Sequence, residues 1–74
     1  MQIIIQNQAR NRIPLQVEPK EDIQSVKFKI QDVEHAAPHE QRLLFQGMHL
    51  EEGRTIESYN IQEGAVIYLT KTSD

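Results

Sequence analysis

The chain has 74 residues, with 8 Lys and Arg against 11 Asp and Glu and no cysteine. A chain of this length makes one domain and buries only about 60% of the surface its unfolded form exposes. Here no disulfide or thiolate metal site supplements that thin core. The net charge of −3, with both signs mixed along the chain, lacks the clustered Lys and Arg of a nucleic-acid footprint. Apolar runs such as Ile3-Ile4-Ile5 fall far short of the roughly 20 residues that span a bilayer, and no charged-then-apolar signal peptide opens the chain. These features predict a soluble intracellular domain that binds neither nucleic acid nor membrane; a monomer of the cytoplasm or nucleus is expected.

Gln2 to Gln6 reads as a strand with Met1, Ile3 and Ile5 on one face, β-branched isoleucine suiting a pleated, half-buried surface. Ile4 points the other way, towards solvent or a partner. The polar stretch Asn7-Gln8-Ala9-Arg10-Asn11 reads as a hairpin loop. Arg12 to Val17 alternates again, with Ile13, Leu15 and Val17 together. Pro14 lies on the other parity and has no donor for a ladder, so this strand is expected at a sheet edge.

Asp22 to Glu34 carries the one helical period. Ile23, Val26, Ile30 and Val33 fall on one face, and Asp22 is a good N-cap, its carboxylate accepting from first-turn N–H groups at the dipole's positive end. Glu18-Pro19 blocks a helix from extending backwards, and Ala36-Ala37-Pro38 stops it. Lys27 falls on the apolar face and Phe28 on the opposite one. Beyond a turn at Pro38, Gln41 to Phe45 reads as a third strand, with Leu43 and Phe45 on one side and Arg42 and Leu44 on the other. Gln46-Gly47 gives a tight turn, Met48-His49-Leu50 a very short strand, and Glu51-Glu52-Gly53 another turn. Thr55 caps a single helical turn through Tyr59, and Asn60 suits a left-handed exit. After a turn at Gly64, Ala65 to Thr70 is the last strand, with Ile67 and Leu69 inward and Val66, Tyr68 and Thr70 outward. Lys71 to Asp74 is polar and reads as loose. This order predicts an α+β fold, one helix covering one face of a mixed four- to five-stranded sheet.

With the elements in place, the motifs resemble the ubiquitin family. They are Met1-Gln2-Ile3, Val17-Glu18-Pro19, Val26-Lys27 with Lys29-Ile30-Gln31-Asp32, Gln41-Arg42-Leu43 with Phe45 and Gly47, and Leu50-Glu51-x-Gly53-Arg54-Thr55 with Tyr59-Asn60-Ile61-Gln62. No single motif is diagnostic; the whole set, in order and without a gap, is specific. The resemblance implies the β-grasp fold over residues 1–71, with first and last strands parallel in the centre of the sheet and 72–74 a flexible tail or the start of a linker. It also implies a buried ion pair between Lys27 and Glu52, in keeping with the rule that a lysine on an apolar face is paired or snorkels.

Departures from the family carry the functional expectations. The family's exposed tail ends in two glycines, whose carboxylate is joined to lysines; this sequence closes on Lys71-Thr72-Ser73-Asp74. Gln6, Asn11, Val33, Met48 and Glu63 stand where the family has chain-building lysines, leaving Lys27 and Lys29. The family's receptor-binding patch falls on Gln8, Leu44, Tyr68 and Thr70, with Gly47, Arg42 and His49 around them. Met48 adds a flexible apolar side chain nearby. Independently, Leu44, Val66 and Tyr68 share outward parity, a candidate helix-binding patch; the alternative is that scattered exposed apolar residues are ordinary. Ile4 falls on the family's secondary patch. Arg10 replaces a glycine expected at positive φ, so a rebuilt turn with Asn7 or Asn11 in the left-handed position is expected. His35 replaces a C-cap glycine and is expected to keep the left-handed exit. Phe28 is left to a contact peculiar to this protein or to packing against a neighbouring loop, with the second preferred.

Enzymatic readings find no support in the residues. Ser25, Ser58 and Ser73 stand in no nucleophile motif. His35 and His39 have a metal-like spacing that Pro38 breaks, and no glycine-rich phosphate loop exists. No catalytic, cofactor or metal site is expected. The expected function is a non-catalytic interaction module, the N-terminal part of a longer protein, docking through the Leu44–Tyr68 face to ubiquitin-binding proteins or proteasome receptor subunits. The alternatives are a divergent conjugatable modifier whose diglycine lies outside this sequence, and a decoy that binds an intramolecular partner.

Overall fold

A computed structural model describes residues 1–71; the segment 72–74, read above as a tail, lies outside the described residues. Strands β1 (Gln2–Gln6) and β2 (Arg12–Gln16) precede helix α1 (Ile23–Glu34) and a 3-10 turn at Pro38–Glu40. Strands β3 (Gln41–Phe45) and β4 (Met48–His49), a 3-10 turn at Glu57–Tyr59 and strand β5 (Val66–Lys71) follow among the described residues. The strands form one sheet of order β2-β1-β5-β3-β4. The β1–β5 pair is parallel and the other pairs are antiparallel. β2 is an edge strand, as Pro14 requires. Among the described residues no helix is long and apolar enough to cross a membrane.

The two-residue period of the strands decides what is buried. Ile3, Ile5, Leu15, Leu43, Ile67 and Leu69 face inward and are buried, as are Ile23, Val26 and Ile30 on α1. Val17, Leu50, Ile56, Tyr59 and Ile61 complete this buried core. Burying each such aliphatic side chain contributes about 1.5–3 kcal/mol. Asp22 caps α1 by accepting from the Gln24 N–H at 2.7 Å. His35 ends it at φ 59°, its N–H donating to Gln31 O.

Val33 departs from the expected face and is 47% exposed. At 3.6 residues per turn the tenth residue after Ile23 has drifted about 80° from it, to the margin of the stripe, whereas the eleventh, Glu34, comes back to about 20°. A carboxylate therefore ends the inward face. Phe28 is 51% exposed, so it stands on the solvent side of α1, as its position opposite the apolar stripe implies.

Lys27 is buried along its stem, and its Nζ lies 3.5 Å from Glu52 Oε2. Glu52 is itself exposed, so the pair sits at the mouth of the core with only the lysine inside it. Behind Lys27 lies a buried polar side chain that the sequence reading passed over. Gln41 Nε2 donates to Lys27 O and to Ala36 O, each at 2.9 Å, tying the start of β3 to the middle and the exit of α1. Gln41 Oε1 has no hydrogen-bond partner among the described residues.

The β1–β2 turn overturns the expectation of a rebuilt loop: Arg10 itself takes the left-handed position, at φ 68°. The reason is the other use made of asparagine. Asn7 Oδ1 accepts from the Asn11 N–H at 2.9 Å, while the Arg10 N–H donates to Asn7 O and the Asn7 N–H to Asn11 O, both at 3.0 Å. These bonds hold a type I turn followed by one left-handed residue, and they offset a backbone cost on the order of 1 kcal/mol at Arg10. In the β3–β4 hairpin, Gln46 (φ 53°) and Gly47 (φ 81°) are both left-handed, as a two-residue primed turn requires.

Burial works against the charged form of Glu21, but hydrogen bonds from the Lys29 ammonium, the Ser25 hydroxyl and the Glu18 N–H outweigh it and hold the carboxyl below its ordinary value. Its folded pKa is thus lower than its unfolded one. Glu21 contributes stability that is fully present above about pH 4.5 and is lost as pH falls through the folded value.

Three stability outcomes are expected, all read as urea midpoints. Lys27→Met keeps the stem volume and costs less than about 1.5 kcal/mol, whereas Lys27→Ala empties it and costs roughly 2 kcal/mol or more. Equal losses would show that the charge pair, not the stem, is what matters. Arg10→Gly relieves the left-handed strain and stabilises by about 0.5–1 kcal/mol; a loss of stability would contradict it. Glu21→Gln narrows the drop in stability between pH 5 and pH 3 relative to wild type, and an unchanged acid limb would remove Glu21 from the account.

Candidate protein-interaction face

The alternation that buries one set of side chains delivers the other set to the opposite side of the sheet. Register places Pro14, Ile4 and Val66 side by side across β2, β1 and β5. The next row runs Arg12, Gln6, Tyr68, Leu44 and His49 across all the strands. Thr70 and Arg42 form a third row. Ile4, Val66 and Leu44 are half-buried, and Tyr68 is 50% exposed. The five apolar side chains Pro14, Ile4, Val66, Tyr68 and Leu44 are contiguous, so the main and secondary patches of the sequence reading are one surface. Two residues apart on β5, Val66 and Tyr68 share a face and bridge the rows.

Charge on this surface has one sign. No Asp or Glu occupies an outward position of the five strands, although the chain carries a net −3. Arg12, Arg42 and His49 stand at its margins, and the Arg12 Nε donates to Gln6 Oε1 at 3.2 Å. The face is therefore a shallow apolar strip with a basic rim. Such a surface offers area and charge complementarity to a partner.

The other named residues are placed differently. Gln8 is exposed in the turn beyond Gln6, at the end of the sheet where β5 also finishes. Gly47 forms the β3–β4 turn. Met48 is exposed but opposes Phe45, on the parity of the core, so it stands at the sheet edge and outside the Leu44 row. Pro14 belongs to the surface and was missed as a member; its outward parity, used only to assign an edge strand, already placed it beside Ile4.

Elsewhere, a cleft of about 480 Å³ is lined by Lys27, His39, Gln41, Arg42, His49 and Leu50, among others. No group of three His, Cys, Asp or Glu among the described residues is placed to hold a metal. Ser25 Oγ donates to Glu21 and Ser58 Oγ to Thr55 O, both local structural bonds.

A mixed sheet with parallel central strands, one helix across its inner side and a short 3-10 turn before the last strand define a ubiquitin-like β-grasp domain. The chain belongs to the ubiquitin family, whose family model matches residues 3–74. It is similar to Ubiquitin-like protein 1 of Schizosaccharomyces pombe, with 26% identity over 93% of this chain and 88% of that protein. It is 28% identical to the NEDD8-like protein RUB3 of Arabidopsis thaliana over 93% of this chain and 88% of that one. The Ubiquitin-like protein NEDD8 of Dictyostelium discoideum gives 28% identity over 93% of this chain and 90% of that one.

Proposed function

We propose that this ubiquitin-like domain is a non-catalytic interaction module of the cytoplasm or nucleus. Its outer face docks an amphipathic helix with acidic flanks on a ubiquitin-binding protein or a proteasome receptor subunit. The contiguous strip of Ile4, Val66, Tyr68 and Leu44, bordered by Arg12, Arg42 and His49 and free of outward acidic residues, carries this reading. Tyr68 and Leu44 are cross-strand partners on β5 and β3, an aromatic and an aliphatic side chain paired as an anchor for a docked helix.

A second reading, a conjugatable modifier, is favoured by the NEDD8-named relatives, which this chain spans over 88–90% of their length. The coding sequence beyond Asp74 separates the two: Gly-Gly within a few residues supports the modifier, a linker and a further domain the module. The docking claim is tested by titrating the labelled domain with a ubiquitin-interacting helical peptide and following amide shifts. Shifts are expected at Leu44, Gly47, Val66 and Tyr68, and Leu44→Ala should weaken binding roughly tenfold. No perturbation at millimolar peptide would overturn the docking claim.

A further inference from the structure

One end of the sheet holds a side-chain cluster that the outer face does not use. Parallel pairing of β1 and β5 brings the β1–β2 turn beside the end of β5, and α1 finishes at the same end. A cavity of about 220 Å³ lies there, lined by Asn7, Gln8, Ala9, Glu34, Leu69 and Lys71. The side-chain hydrogen bonds that cross it among the described residues all meet at Glu34. Asn7 Nδ2 donates to both carboxylate oxygens, at 3.2 and 3.3 Å. From the other side, Lys71 Nζ donates to Glu34 O at 3.3 Å and lies 3.9 Å from Glu34 Oε1.

The chemistry of the three groups explains the arrangement. Glu34 ends the inward stripe of α1, so its carboxylate arrives at the core margin, where its side chain is only 14% exposed. A carboxylate so placed needs donors. Lys71 also meets a carbonyl at the negative end of the helix, where an ammonium is favoured. Asn7 is bifunctional: its Oδ1 holds the Asn11 N–H while its Nδ2 holds Glu34. The same side chain thus fixes the strained turn internally, with Arg10 at φ 68°, and fixes it externally to the helix. Strain of that kind persists only where the surroundings over-determine it.

We propose that Glu34 is a conformational coupler. It ties the β1–β2 turn to the end of β5, so that the placement of Gln8 at the rim of the outer face and the direction of the chain at Lys71 are set together. A pull on the chain beyond Lys71 is felt at Gln8, and a contact at Gln8 is felt at Lys71. The coupling is a property of the free domain and does not depend on what the outer face binds.

Amide spectra of the free domain test it. Lys71→Ala is expected to shift the amides of Gln8, Ala9 and Arg10 in the wild-type background and to leave them unmoved in a Glu34→Ala background. Asn7→Asp keeps the acceptor for Asn11 but sets a second carboxylate against Glu34, and it should shift Thr70 and Lys71. The amides of Leu43 and Ile67 report that each variant is folded. Should Glu34→Ala unfold, Asn7→Asp alone decides, through the response at Thr70 and Lys71. Turn amides that ignore Lys71→Ala, or that respond equally with Glu34 removed, would overturn the proposal, as would Asn7→Asp shifts that stop at the turn.

Discussion

The parallel pairing of β1 with β5 joins the first and last strands of the sheet, and the rest of the structure depends on it. Gly64 N–H donates to Gln2 O at 2.7 Å and Ile4 N–H to Ala65 O at 2.8 Å, closing a loop of some sixty residues. Loop closure of that length costs only a few tenths of a kcal/mol more than a loop two-thirds as long, but it gives nothing until side chains are buried across it. Ile3 and Ile5 beside Ile67 and Leu69 supply that burial, with α1 laid over them. The same alternation sends Ile4, Val66 and Tyr68 to the far side. Core and docking face are two readings of one pairing register, and a slip of one residue would exchange them.

Polar groups at the core margin fix how the helix sits on that sheet. Lys27 reaches out of the core to Glu52, and Gln41 reaches in to bond the carbonyls of Lys27 and Ala36. Apolar contacts between α1 and the sheet are nondirectional and tolerate sliding. The two amide hydrogen bonds are directional and single out one position of β3 against the helix. At the helix start, Asp22 accepts from Gln24 N–H, and the Ile23 N–H donates to Arg54 O at 2.9 Å, which pins the other end.

Much of this was legible in the sequence because it follows from period and parity. The bounds of α1, the Asp22 cap, the edge position of β2 and the inward and outward sets of β1, β3 and β5 are local consequences of side-chain spacing. The central parallel pairing is not local, and only the resemblance supplied it. Gln41 has the inward parity of Leu43, but its burial depends on two carbonyls, of Lys27 and Ala36, that no local pattern places beside it. Val33 was misplaced because the stripe drifts over ten residues. Arg10 goes against residue preference because the turn uses Asn7 for its side-chain bonds and leaves the left-handed position to the residue three places on. On the outer face, parity identified Leu44, Val66 and Tyr68, but cross-strand register was needed to show that Ile4 and Pro14 continue the same strip and that Met48 does not.

Native-state hydrogen exchange at the Ile4 amide, which donates to Ala65 O across the β1–β5 seam, tests the role of that pairing most directly. If the seam holds the domain together, Ile4 exchanges only through global unfolding, with the free energy and denaturant dependence of the whole domain. Exchange of Ile4 through a local opening, at a free energy well below the global value while the β3 amides stay protected, would contradict the account.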